Sequence, residues 1–233
     1  MKSIRVLPSQ LIQESDWLSS LSGDLIQRIL AESTTKKYIK GDYIHSRGDE
    51  PDGFYGVLQG RIKICSLTFE GKVSTLCFFS IGEWWGEISL IDDIARTHDA
   101  IANEDTEILL ISKKLFKTLY QHHQEFNHAI NVNLCRRLRL ALNLIEQYTC
   151  MPLTSRLASR LVAEFKRNEL TSKKISISQQ ELADMLGVSR QSVSKIMTLW
   201  SENKIIKVDY HSITILNEVE LSRIAGPPLI PFR

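Results

Sequence analysis

Residues 176–200 constrain the fold more than any other stretch of the chain. They read as two short helices joined by a tight turn. Ser178 precedes Glu181 by three residues, the spacing of a capping box at a helix start. Leu182, Met185 and Leu186 then share one face of that helix. Gly187 supplies the left-handed residue that ends it, and Val188 turns towards the core. Ser189 is a second N-cap, opening a helix over residues 190–202 whose apolar stripe is Val193, Ile196, Met197 and Trp200. The opposite face carries Arg190, Gln191, Ser194 and Lys195, donors suited to phosphates and base edges. Helix, glycine turn, and a second helix with a polar outer face is the helix-turn-helix layout. The plainer alternative is a helical hairpin with a solvated charged face; the two caps, the glycine and the donor set together favour DNA reading. Ser189, Arg190, Gln191, Ser194 and Lys195 are therefore the candidate DNA-binding residues.

Charge follows the same division. Residues 151–233 hold 12 Lys and Arg against 8 Asp and Glu, a net +4, whereas residues 1–150 are net −2. The basic excess sits with the helix-turn-helix, as phosphate contacts require. At 233 residues, 43% hydrophobic and 24% charged, the chain suits about two globular domains. Neither a signal peptide nor a run of ~18 apolar residues is present, so a cytoplasmic, non-membrane protein is expected. Cys65, Cys77, Cys135 and Cys150 are spaced 12, 58 and 15 apart, which matches no metal site; buried apolar roles are expected for them. No metal or catalytic constellation is found, so an enzyme is not expected.

Ahead of the helix-turn-helix the pattern changes twice. Trp17, Leu18 and Leu21 mark a short packed N-terminal helix, and residues 24–32 a second. Strands are read at 35–39, 43–46, 53–59, 61–67, 73–79, 85–87, 97–103 and 106–112, punctuated by glycines. Such short strands at regular spacing indicate a small antiparallel barrel or jelly roll. The turns at residues 40–42 and 69–72 each place a glycine where a left-handed residue is needed. Residues 113–149 then read as helical. Ile130, Leu134, Leu138, Ala141, Ile145 and Tyr148 are spaced four, four, three, four and three, a near-heptad seam. Leu140 and Leu144 lie on another face, expected to pack on the barrel. A parallel homodimer contact through Ile130, Leu134, Leu138, Ala141 and Ile145 is the expectation. Met151-Pro152 breaks the helix and is the expected hinge. A helix from about Thr154, a polar stretch over 166–174, a small hairpin around residues 209–211 and a loose tail from Gly226 complete the chain.

One loop carries a second signal. Gly86-Glu87 precedes Arg96-Thr97 by ten residues, with a short helix expected over 88–91. Amides, a guanidinium and a hydroxyl brought together would form an anion pocket, although a surface ion pair is the simpler account.

These features in this order, with Arg136-Arg137-Leu138 in the long helix, resemble the Crp/Fnr family of bacterial transcription regulators over residues 17–224. The resemblance implies an α+β fold: an N-terminal antiparallel β-roll of cyclic-nucleotide-binding type, a long dimerisation helix and a C-terminal winged helix-turn-helix. The corresponding division is 1–118, 119–150 and 151–233. It implies an effector site at Gly86, Glu87, Ile88, Arg96 and Thr97, with cyclic AMP or another cyclic nucleotide as ligand. Glu87 would take the ribose hydroxyl, and Arg96 and Thr97 the cyclic phosphate, with amides near Gly86 and Ile88. Double-stranded DNA with a near-palindromic operator and RNA polymerase are the implied partners. Two departures bear on the ligand: His98 stands where the family commonly has Ala, and Ala141-Leu142 stand where the cyclic-AMP receptor uses Thr-Ser to bind adenine. Gln191, in place of the frequent Glu, favours adenine over cytosine at one operator position. A sensing module that docks protein partners instead of DNA is the alternative; exposed apolar anchors on the second helix would mark it.

Overall fold

The computed structural model describes residues 9–67, 73–168, 174–209 and 212–226. Its contacts divide the chain into two compact units, Met1–Arg136 and Arg137–Arg233.

The first unit is a β-roll. Strands β1 (Thr34–Tyr38), β2 (Tyr43–His45), β3 (Gly53–Gln59), β4 (Ile62–Leu67), β5 (Val73–Phe79), β6 (Trp84–Trp85), β7 (Asp99–Ala102) and β8 (Thr106–Ser112) form two four-stranded sheets. Their orders are β1-β8-β3-β6 and β2-β7-β4-β5, and every pairing is antiparallel. Alternation along β3 and β8 explains how the roll is covered. Tyr55, Val57, Ile108 and Leu110 point inwards, joining Ile62, Ile64, Trp85, Ala100 and Ala102 from the other strands. Phe54, Leu109 and Ile111 point the other way, into a helical layer. Both faces are buried, so these two strands read as apolar runs.

That layer contains α1 (Ser9–Glu14), α2 (Asp16–Ser19), α3 (Gly23–Glu32), α5 (Lys113–His122) and the start of α6 (Gln124–Cys150); α4 (Glu87–Asp92) lies between β6 and β7. Trp17 and Leu18 are buried as expected, with Trp17 edge-on to both Trp84 and Phe126. Glu125 accepts from the backbone N–H and hydroxyl of Ser22 at 2.9 and 2.7 Å, tying α6 to the start of α3. The helical stretch after the roll is two helices, broken at His123, whose backbone is extended.

The second unit holds α7 (Leu153–Asn168), α8 (Gln179–Leu186) and α9 (Arg190–Glu202). Its hairpin is β10 (Ile206–Asp209) with β11 (Ser212–Ile215), and β11 also pairs with β9 (Lys174–Ile175). A last helix, α10 (Glu218–Ala225), packs on α7 and is absent from the sequence expectations, as is β9. The expected turns at 69–72 and 210–211, part of the 166–174 stretch and the tail beyond Gly226 lie outside the described residues.

Three expectations are corrected. Ile130 is fully buried in the core of its own roll, with Phe126 and Ala129, so it cannot serve a partner. Leu134 packs partly on the same core. The first turns of α6 are thus a lid on the roll, and the apolar period there reports that burial. Leu140 and Leu144 are exposed, at 51% and 37%. Cys135 and Cys150, both on α6, are also exposed rather than buried.

Candidate nucleic-acid interface and effector pocket

The reading head is assembled from local chemistry. Ser178 Oγ accepts from the N–H of Glu181 at 3.1 Å, and the N–H of Ser178 donates to Glu181 Oε2 at 2.8 Å, closing the capping box. Gly187 sits at φ 64°, ψ 36°, ending α8 in the left-handed conformation. Ser189 Oγ then accepts from the N–H of Ser192 at 3.2 Å, so that hydroxyl serves the start of α9. Val193, Met197 and Trp200 bury one face of α9. Arg190, Gln191 and Lys195 are exposed on the other, with Ser194 half-buried between them. Arg190, Gln191 and Ser194 line one shallow cleft, which Lys195 and Thr198 extend. Thr198 is not among the residues expected from sequence, although it follows Ser194 by one helical turn. Leu199 is 56% exposed, a single apolar side chain and not a row of anchors.

The candidate effector site centres on Arg96, only 3% exposed. Its Nη1 donates to the carbonyl of Gly86 at 2.9 Å. Its Nη2 donates to the carbonyl of Gly53 at 2.6 Å and to Asp52 Oδ1 at 3.2 Å. The guanidinium carbon lies 5.2 Å from the Tyr55 ring. Tyr55 donates its hydroxyl to the same Asp52 oxygen. Burial alone would raise the Asp52 carboxyl; the hydrogen bonds from Tyr55 and Arg96 outweigh it and hold it below the usual range. Burial and the Asp52 carboxylate push the Tyr55 phenol up. Asp52, which no sequence motif singled out, is thus a carboxylate partner of Arg96, in a pair whose guanidinium is buried and whose carboxylate is half exposed.

Gly86 stands at φ 106°, and a Cβ there would lie 2.7 Å from Arg96 Nη1. Only glycine therefore combines this backbone with this guanidinium. Glu87, the first residue of α4, is fully buried beside it, whereas Ile88 is 52% exposed and Thr97 is exposed, its hydroxyl 2.9 Å from His98 Nδ1. His45 Nε2 accepts from the Trp85 indole N–H at 3.1 Å. Burial, then the nearby Arg96, lower the His45 pKa to about 4, so it is neutral and carries its proton on Nδ1. Arg96 Nε is buried with no hydrogen-bond partner. The guanidinium is thus held by its Nη edge and keeps an Nε–H for an incoming acceptor, which fits an anionic group such as a phosphate.

Two family models match the chain: a cyclic nucleotide-binding domain over residues 35–123 and a Crp-like helix-turn-helix domain over residues 155–224. The chain belongs to the Crp/Fnr family. It is a DNA-binding transcription regulator of that type. Among curated relatives, the cyclic AMP receptor protein of Thermus thermophilus is 25% identical over 205 residues, covering 88% of this chain and 94% of its own. The cAMP-activated global transcriptional regulator CRP of Haemophilus influenzae is 26% identical over 181 residues, 76% and 80% of the two chains. Among solved structures, FixK2 from Bradyrhizobium japonicum superposes with a TM-score of 0.77 at 18% identity, covering 84% of this chain and 98% of that one. The Crp/Fnr architecture of roll, long helix and helix-turn-helix is the one read from the sequence. No helix among the described residues is long and apolar enough to cross a membrane, and no group of three or more potential metal ligands occurs among them.

Proposed function

We propose that this Crp/Fnr regulator acts in the cytoplasm as a homodimer on a near-palindromic operator, with the roll as its effector-responsive part. Sensing belongs to residues 1–118, dimerisation to 119–150 and DNA reading to 151–233. The observation that carries the reading is the donor row Arg190, Gln191, Ser194 and Lys195 on the outer face of a doubly capped α9. Arg190 forks onto guanine, Gln191 pairs with adenine, and Lys195 and Ser194 hold phosphate.

The dimer contact is supported by the second half of α6. Leu138 and Ile145 are each 62% exposed, and Ala141 between them is exposed too. They keep the seam's three–four spacing, which half-buried Leu134 extends and fully buried Ile130 does not. A dimer sets the half-sites about one helical turn apart, and a DNA-bound dimer presents RNA polymerase with a symmetric platform.

In the roll, Arg96 offers its Nε–H to a cyclic phosphate, Glu87 its carboxylate to a ribose hydroxyl, and Gly86, Ile88 and Thr97 flank them. The ligand supplies one anionic ring whose charge the prepared guanidinium balances. Ala141 and Leu142 provide no side-chain hydrogen bond to a purine edge, so selectivity between cyclic AMP and cyclic GMP is expected to be weak.

The test is a fluorescence-anisotropy titration of a duplex selected from a random pool, at fixed salt, with and without cyclic AMP and cyclic GMP. Tight, sequence-dependent binding that one or both nucleotides strengthen supports the whole reading. Tight binding indifferent to both removes the nucleotide and leaves the regulator. Failure of selection to yield any preferred sequence overturns DNA reading. Sedimentation that shows only a monomer at micromolar concentration overturns the dimer.

A further inference from the structure

Tyr148 lies in the last turn of α6, just ahead of Met151-Pro152. Its spacing assigns it to the apolar seam, yet its polar end is engaged within its own chain. The phenol O–H donates to the carbonyl oxygen of Met185 at 2.5 Å. The guanidinium carbon of Arg156, on the first turns of α7, lies 4.8 Å from the centre of the ring. Arg160, one turn further on, places Nη2 3.6 Å from Met185 Sδ. The end of α6, the start of α7 and the end of α8 therefore meet around one tyrosine.

The acceptor matters. Met185 belongs to the last turn of α8, whose carbonyls have no partner inside the helix. The N–H groups of Gly187 and Val188 both turn back to the carbonyl of Ala183 and leave that of Met185 unserved. Tyr148 supplies the missing donor from outside the helix-turn-helix. Two residues beyond Met185 comes the turn glycine, and two beyond that the N-cap of α9. A change in where the last turn of α6 points is thus applied directly to the turn that aims α9.

We propose that Tyr148 is a positioning residue for DNA reading: it couples the end of the long helix to the α8–turn–α9 unit, without itself touching DNA. The break at Met151-Pro152 is then not a free joint, because Tyr148 and Arg156 bridge it. The affinity part of this inference rests on the DNA-reading function above; the coupling part does not.

The test uses the full chain carrying Tyr148→Phe, which keeps the ring over Arg156 and loses only the hydroxyl, and Tyr148→Leu, which loses both. Hydrogen exchange at residues 186–189, operator affinity by anisotropy, dimer dissociation and thermal unfolding are each compared with the unmodified protein. For Tyr148→Phe we expect several-fold faster exchange at Gly187 and Val188. Operator affinity should fall about fivefold, the worth of one net hydrogen bond, with the dimer dissociation constant unchanged. Tyr148→Leu should do more of the same. A lowered unfolding temperature with affinity unchanged at a working operator overturns the proposal and leaves Tyr148 a merely structural residue. Weakened dimers with unchanged exchange overturn it in favour of the seam. If selection yields no operator, the function above fails, and exchange alone decides: unchanged rates in both variants overturn the coupling, and faster ones support it.

Discussion

Arg96 and Arg190 offer the same guanidinium, but the two halves of the molecule prepare it differently. Arg96 is buried and held by Asp52, Gly53 and Gly86 before any ligand arrives. Arg190 stands exposed at the first position of α9. If the roll takes a small anion and α9 a duplex, as proposed above, the difference follows from what each one meets. A small anion brings few contacts and cannot meet the cost of ordering a long side chain, so the pocket must be set in advance. A duplex contacts many side chains at once and can order an exposed arginine as it binds. The roll therefore spends folding stability on its arginine, and the reading head spends binding affinity.

That contrast can be broken at its strongest point first. Arg96→Ala takes from the Asp52 carboxylate its charged partner and from two carbonyls a donor, and should destabilise the first unit by about 3 kcal/mol in a urea titration, the lower end for a buried pair because Asp52 is half exposed and keeps the Tyr55 hydroxyl. A loss below about 1 kcal/mol would make the two arginines alike. Protonation provides the next test. His45 titrates near pH 4 when folded and near 6.5 when free. Between those values the unfolded chain binds the extra proton. The stability due to neutral His45 is complete above about pH 6.5, and roughly 3 kcal/mol is lost as pH falls to 4. His45→Gln should flatten that part of a stability-against-pH curve; an unchanged slope would assign it elsewhere. On the other side, Arg190→Ala should cost about 1–3 kcal/mol of operator affinity and relax one base position. Its unfolding midpoint should not move; a shift would show that Arg190 is a folding residue as well. The smallest effect sharpens the boundary of the head. Ser178→Ala removes the capping box and should lower the stability of the second unit by about 1 kcal/mol, with the first unit unaffected.

The same contrast separates what the sequence makes legible from what it hides. The reading head is written in short-range chemistry: Ser178, Glu181, Gly187 and Ser189 act within four residues of themselves, so both helices and their turn follow from spacing alone. The element missed there, β9, is two residues long, and its partner Ile213 lies 38 residues after Ile175. Helix α10 left a readable trace, because Asn217 caps it through the N–H of Glu220 three residues on. In the roll the glycine rhythm located the strands, but the Arg96 partner could not be read. Asp52 lies 44 residues before it, and no spacing rule joins them. Periodicity misassigned Ile130 for a related reason: it identifies an apolar face without saying what covers it.

Gly86 and Arg96 also restrict each other's history. Any side chain at position 86 would enter the space of the guanidinium, and the left-handed backbone there already disfavours one. A lineage can accept a larger residue at 86 only after Arg96 has been lost or has moved. Substitutions at the two positions should therefore appear in a fixed order among descendants, arginine first. A relative that carries a bulky residue in place of this glycine announces, from one letter of its sequence, that no guanidinium is held as Arg96 is held here.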